Sequence, residues 1–562
     1  MKILSSTTPL QFVSALALAF SFLPSAVADV RMPNIFGDHM VLQRDQKIAI
    51  WGWAEPGEGI KVTLGDKNGQ ATADADGKWR VNLDPVAGAD ETRELVISGK
   101  NELRFKDVVV GDVWICSGQS NMEFGLGNIG AMEELDPFIR VFHVTKSAAL
   151  TPLDNTTVVP PELGLDLLSG HWQKTLRTGS WNGFSAVGYF FGKDIRQATR
   201  KPVGLIGSYW GGTPAQAWTS LEGLKKVPEL ASLVTGFENL PDKVKSRMPI
   251  VWADHVRNMK KWNEEVFEGE GFGKKLGEWK VEEEKARAAG QPAPPRPTPS
   301  RPQPTGPGNV GYTSTLFNGM INPLIPFTIK GVIWYQGESN AHQADQYRVL
   351  FPTMISDWRQ HWGQGDFPFI FVQLAGFDLN PENPEPDRWP WLREAQAKTL
   401  SLPNTGMATA ADIGDGKDIH PKNKLDVGRR LALVARRLVY GEQIVDAGPL
   451  YESMKVEGDK IRISFHGKGL GLRIAAPPVL PSHTPLPIPE KLTGFTIAGA
   501  DQKWQPADAT IDGDTVVVSA SSVPSPVAVR YAWQNLPACS LYNKEGLPAF
   551  PFRTDDWKPE KK

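Results

Sequence analysis

Four apolar runs in this chain end in the same way. VVVGDVWICSG (108–118), PVGLIGSYWGG (202–212), IKGVIWYQGES (329–339) and GMATAADIGD (406–415) read as buried strands, and each closes on glycine and small polar residues. FIRVFHV (138–144) and FPFIFVQLAG (367–376) add two more strands. Helical patterns separate them. Residues 185–200 carry Val187, Phe190, Phe191 and Ile195 on one side, and further helices are expected near 343–362, 391–402 and from Pro421 towards Leu438. Strands alternating with helices predict an α/β fold with a doubly wound parallel sheet. In such sheets ligands bind outside the carboxyl ends of the strands, which is where these polar clusters fall.

Other segments follow different rules. Short alternating runs broken by Pro-Gly, Asn-Gly and Asp-Gly turns predict a β-sandwich-like domain over 29–105. The α/β core then occupies 106–221 and 309–444. Residues 222–308 interrupt it with a charged, helix-prone stretch and a Pro-rich tail, PAPPRPTPSRPQPTGPG, read as a helical and Pro-rich insertion. Alternating runs such as KIRISF and TVVVSA predict a second β-rich domain over 445–562. At the other end, Lys2, the apolar run Phe12 to Leu23 and the Ala26-Val27-Ala28 pattern predict a signal peptide over 1–28. The expected product is secreted or periplasmic, begins near Asp29 and has no stable membrane span, because the apolar run is too short for one.

The charge balance, 61 basic against 63 acidic residues, gives no electrostatic footprint for nucleic acid, and no protein partner is predicted. The two cysteines, Cys116 and Cys539, are expected as buried thiols. Neither CxxC nor HExxH occurs, so no structural or catalytic metal site of the zinc kind is expected.

Two serines occupy matching settings, Gly118-Gln119-Ser120-Asn121 and Gly337-Glu338-Ser339-Asn340. A serine hydroxyl is a weak nucleophile until a base takes its proton. Among nine histidines, His420 stands out: it follows a strand, in ADIGDGKDIHP, with Asp412, Asp415 and Asp418 close by. A Ser-His pair oriented by a carboxylate is the arrangement for acyl transfer. Met122 replaces the second glycine of a G-x-S-x-G elbow, so the pattern is not that of α/β-hydrolases.

GDVWICSGQSNMEF, GLIGSYWGGTPAQAW, VIWYQGESN, DIHPKNKLDVGRRLA and YNKEGLPAFPFRTDDW resemble, in order, the motifs of the sialate O-acetylesterase family, within the SGNH hydrolase superfamily. The resemblance spans nearly the whole chain and is weakest over 222–308. It implies an SGNH (flavodoxin-like) core with flanking β-domains and carbohydrate O-deacetylation without a cofactor. It also implies Ser120 as nucleophile and His420 as base. The oxyanion hole falls on the Ser120 amide, Gly211 or Gly212, and a carboxamide from Gln336 or Asn340. Trp210 and Trp334, inside these blocks, are candidates to line a sugar subsite. The superfamily's D-x-x-H is not kept: Lys417 holds the aspartate position. The orienting group is therefore left between Asp418, Asp412 and no carboxylate at all. The substrate is expected to be an O-acetylated carbohydrate, with a sialic acid or a plant polysaccharide such as acetyl-xylan or acetyl-xyloglucan both open. A non-catalytic carbohydrate-binding protein is the alternative from another class.

Overall fold

The computed structural model describes residues 29–129, 135–157, 170–175, 183–289, 291–302, 310–378 and 388–558. The expected signal peptide, 1–28, lies outside them.

One strand organises the molecule. Glu102–Gly118 runs for 17 residues, and its burial changes character midway. Its first six residues alternate between exposed and half-buried, and from Val108 every residue is buried. The sequence dictates this: ELRFKD alternates charged and apolar residues, whereas VVVGDVWICSG is nearly all apolar and must be covered on both faces. At the junction Asp107 adopts φ +54°. Buried Arg140 holds it there, bonding its carbonyl and, at 3.0 Å, its carboxylate. The domain boundary expected at 105/106 therefore falls inside a continuous strand. Its first half pairs antiparallel with Ala89–Ser98, and its second half is the centre of the core sheet.

Across the core the order is Trp172–Lys174, Ile139–His143, Val203–Tyr209, Glu102–Gly118, Gly331–Tyr335, Phe369–Gln373 and Thr405–Thr409. All pairings are parallel except that of the edge strand Trp172–Lys174. The chain builds one side of Glu102–Gly118 and then returns to build the other. This makes the carboxyl end of that strand a switch point, where a crevice must open.

Helices cover both faces. Trp114 packs its ring 5.0 Å from Phe191 of the helix Ala186–Thr199, and Cys116 lies under Gly188 of the same helix. Trp334 faces the other way, 5.9 Å from Trp358 and 6.3 Å from Phe351 of Ala344–Trp362. Lys424–Leu438 packs on Ala186–Thr199 at Gly428, where a Cβ would meet Val187 O at 2.8 Å. That helix starts later than Pro421 predicts. Asn423 caps it by accepting from the Asp426 amide, and Pro421 stays in the preceding loop.

The insertion forms the helices Ala231–Glu238, Trp252–Trp262 and Phe272–Ala288, with Trp262, Val266 and Phe272 as a small local core. Towards the C-terminus two four-stranded antiparallel sheets enclose Ile461, Ile463, Phe465, Val516, Val518 and Tyr531. Both cysteines are free and buried, and burial pushes each thiol up. Among the described residues no helix is long and apolar enough to cross a membrane.

One ion pair at the end of Ala344–Trp362 gives the fold a pH dependence. His361 Nδ1 lies 3.3 Å from Asp357 Oδ1, and Glu222 lies 3.9 Å from Nε2. Asp357 also accepts from the amide and hydroxyl of Ser220 at 2.8 and 2.7 Å. The Asp357 hydrogen bond raises the His361 pKa above its ordinary value. A raised pKa means that the stabilisation is complete below the unfolded value, near 6.5, and is lost as pH rises through the folded value. His361→Gln should therefore cost about 1 kcal/mol in urea unfolding near pH 5.5 and less near pH 8.5. An equal loss at both would contradict this.

Candidate active site

Gly118 ends the central strand at φ +136°, and a Cβ there would sit 2.1 Å from the Tyr335 carbonyl oxygen. Only glycine allows the first and third polar blocks to meet so closely. The next three residues divide their work. Gln119 turns its side chain inward, where Oε1 accepts from the amides of Gly337 and Ser339 at 3.4 and 3.3 Å. Ser120 opens the short helix Ser120–Glu123 and faces a cleft of about 520 Å³. Asn121 is buried, and its Nδ2 donates to Glu338 Oε1 at 2.6 Å and to the Ile419 carbonyl at 3.0 Å. The duplicated pattern thus resolves into one serine on the cleft and one, Ser339, whose amide binds Gln119.

His420 lines the same cleft as Ser120. The loop 414–423 carries it at the carboxyl edge of Thr405–Thr409, with 35% of its side chain exposed. The Asp418 carboxylate accepts from the His420 amide at 2.8 Å and lies 3.3 Å from Nδ1. Asp412 is elsewhere. It is buried in a two-pronged pair with Arg430, at 2.7 and 2.8 Å, and accepts from the Tyr542 hydroxyl at 2.9 Å. Both its oxygens are engaged away from the imidazole, so of the two aspartates only Asp418 reaches His420.

Gly211 lies against Ser120, since a Cβ there would meet Ser120 Cβ at 3.2 Å. Its amide donates to Glu123 Oε2 at 2.7 Å, and Lys146 closes an ion pair with the other oxygen of Glu123. The amides of Ser120 and Gly212 have no acceptor among the described residues. Gln336 and Asn340 sit behind this loop rather than on the cleft. Both are fully buried. Gln336 Nε2 donates to the Asn340 carboxamide oxygen at 2.7 Å, and Asn340 in turn accepts from the Ala215 amide and donates to Gln216. They hold the 213–216 segment in place. Trp334 is also buried, and Trp210 is 6% exposed beneath Lys146. The subsite predicted for these two indoles is not formed by them, because both pack into the strand ends.

Several cleft residues escaped the sequence reading. His143 presents part of its ring between Phe184 and Tyr209, and burial lowers its pKa to about 3, so it is neutral. It sits within a strand and has no local signature. Glu123 does have one, the S-x-x-E spacing from Ser120 that marks helix starts, although it reaches Gly211 instead of its own helix. Beneath the cleft lies Lys424, fully buried, whose Nζ donates to Asn121 Oδ1 and lies 5.0 Å from the Phe124 ring. Burial pushes its pKa down to about 7 against the pull of Glu338 and Asp418. Burial likewise raises the Glu338 carboxyl. Among the described residues no cluster of His, Cys, Asp and Glu is arranged to hold a metal ion.

The chain matches known proteins along nearly its whole length. Residues 312–436 match the family model described as carbohydrate esterase, sialic acid-specific acetylesterase. Sialate O-acetylesterase from Mus musculus is 32% identical, covering 94% of this chain and 95% of that protein. The Homo sapiens sialate O-acetylesterase is 30% identical over 94% of this chain and 93% of its own length. Among solved structures, a carbohydrate acetylesterase from Xanthomonas citri superposes with a TM-score of 0.71 at 34% identity, covering 94% of this chain and 100% of the other.

The buried polar bridge carries a stability prediction. Lys424→Met removes the donor to Asn121 and leaves Glu338 without its nearby cation. Leaving the buried Asn121 carboxamide oxygen without its donor costs about 1–3 kcal/mol. Urea unfolding should show a loss of that order, and a loss below about 1 kcal/mol would mean that the bridge does not hold the loops.

Proposed function

Since the chain belongs to the sialate O-acetylesterase family, we propose that it is an exported carbohydrate O-acetylesterase with an SGNH-type (flavodoxin-like) core and an acyl-enzyme mechanism. The observation that carries this reading is the shared cleft at the strand ends, where Ser120 and His420 line one wall and Asp418 stands beside the imidazole. His420 takes the Ser120 proton as Oγ attacks the acetyl carbonyl carbon. Asp418 orients the ring and stabilises the imidazolium. The oxyanion forms against the Ser120 amide and the amides of Gly211 and Gly212, each donor contributing roughly 3 kcal/mol in the transition state. For Gly211 to donate, Glu123 must yield its hydrogen bond. Gln336 and Asn340 support the oxyanion loop from behind. As the tetrahedral intermediate collapses, His420 protonates the departing sugar hydroxyl. Water, deprotonated by the same imidazole, then attacks the acetyl-serine and releases acetate, regenerating Ser120.

Ser120→Ala should lower kcat for aryl acetate hydrolysis by about 10⁴-fold or more with the melting temperature kept. Asp418→Asn should lower kcat by at least about 100-fold, whereas Asp412→Asn should act mainly on stability. Full activity in Ser120→Ala would sink the assignment. The reverse ranking of the two aspartates would sink the role of Asp418.

One observation favours a particular substrate. The charged residues lining the cleft, among those described, are Glu123, Asp418 and, when protonated, His420, with no Lys or Arg on the wall. Lys146 is already paired with Glu123. With Glu123 paired to Lys146, the described wall offers no Lys or Arg to bind a sugar carboxylate, which suits a neutral acetylated sugar. We therefore place an acetylated neutral polysaccharide, such as acetyl-xylan or acetyl-xyloglucan, ahead of O-acetyl sialic acid. Acetate release from the three side by side decides this, and faster turnover of the sialic acid would reverse the order.

A further inference from the structure

A second cleft, of about 450 Å³, lies far from Ser120, between the N-terminal β-unit and the segment that leads into the core strand Gly331–Tyr335. Its floor is a two-stranded ribbon, Ile48–Trp53 paired with Lys78–Leu83. Because side chains alternate along a strand, Trp51 and Trp53 share one face. The register sets Arg80 opposite Trp51 and Lys78 opposite Trp53 on that face. Asp154 and Asn322 close the opposite wall. The floor is anchored, not loose: the Ala49 amide donates to Thr328 Oγ1 at 3.1 Å, and Trp51 packs edge-on to Phe36 at 4.8 Å.

The two indoles are half-buried, and neither N–H meets an acceptor among the described residues. Elsewhere in the protein Trp172, Trp358 and Trp362 each donate to a backbone carbonyl, and Trp218 donates to Thr213. Arg80 is similar in having capacity to spare. Its Nε donates to Asn82 at 3.1 Å, no carboxylate among the described residues pairs with it, and burial lowers its pKa. The Lys78–Asp154 pair, 3.2 Å apart, rims the cleft. With Asp74 the lining carries two cations and two carboxylates, so it has no net charge to attract an ion. What remains is an apolar aromatic floor with unused donors above it and acceptors along one side. A pyranose ring matches this, with an apolar C–H face to lie on indole and equatorial hydroxyls to bond at its edge.

We propose that this cleft is a second carbohydrate-binding site, which holds neutral pyranose units of a glycan chain on Trp51 and Trp53 beside the Arg80 guanidinium. The cleft touches the chain at Ile325 and Pro326, before the amino end of Gly331–Tyr335, whereas Ser120 lies beyond the carboxyl end. The strand alone separates them by roughly 15 Å. One sugar cannot occupy both sites, so the ligand of this cleft is a different stretch of polymer from the unit being deacetylated. The inference depends on the family's carbohydrate chemistry and not on which residue is the nucleophile.

The test uses full-length Ser120→Ala protein and two unacetylated probes, xylohexaose and cellohexaose, titrated by calorimetry. Saturable binding of at least one probe is expected. Adding Trp53→Ala or Arg80→Gln should weaken it at least tenfold with the melting temperature unchanged. No binding of either probe at millimolar concentration would overturn the proposal. So would undiminished affinity in both variants, which would place the saccharide elsewhere. Failure of the catalytic assignment is read separately, from residual esterase activity of Ser120→Ala alone.

Discussion

Asn121 is buried among three loops, and its carboxamide bonds to all of them. Oδ1 accepts from Lys424 at the start of a core helix, and Nδ2 donates both to Glu338 in the third polar block and to the Ile419 carbonyl. Ser120 precedes Asn121 in the chain, and His420 follows Ile419. The relative position of the two catalytic candidates is thus set by one amide and its partners. Buried polar groups of this kind are costly unless satisfied, and when satisfied they fix a single arrangement. Lys424 and Glu338 show the cost directly, since burial shifts both towards their neutral forms.

This bridge works because backbones come unusually close above it. Gly118 lies against the Tyr335 carbonyl and Gly211 against Ser120, so the Ser120 turn is wedged between the strands on either side. The resting arrangement also places the Glu123 carboxylate on the Gly211 amide. That amide is one an acyl-enzyme mechanism would need for the oxyanion. In the proposed mechanism Glu123 would have to release this amide while it stays paired with Lys146.

Two separate clefts flank the core sheet. Glu102–Gly118 begins in the N-terminal β-unit and finishes at Ser120, with Asp107 and Arg140 fixing the change of environment along it. The cleft of Ser120 and His420 opens at the carboxyl ends of the parallel strands, and the tryptophan-floored cleft lies towards their amino ends. The ribbon Ile48–Trp53 and Lys78–Leu83 under the second cleft is a separate two-stranded sheet, tied to the core through the Ala49 amide and Thr328 Oγ1.

Much of this was legible in the sequence. Apolar runs that stop at glycine gave the parallel strands, and their polar endings gave Ser120 and His420, because a strand buried on both faces must end in a loop at the sheet's edge. The sequence left the orienting group between Asp418, Asp412 and no carboxylate at all. It could not choose between them, because that choice depends on Arg430 and Tyr542, which lie 18 and 130 residues from Asp412 and come together only in the fold. The same limit applies to Trp334, Gln336 and Asn340, whose residue types suit a binding surface but whose burial is decided by helices packed over the strand ends. Local pattern thus determined the strands and pointed to Ser120 and His420 at their ends. Tertiary packing alone decided which polar side chains face the cleft, since long-range partners compete for every buried donor and acceptor.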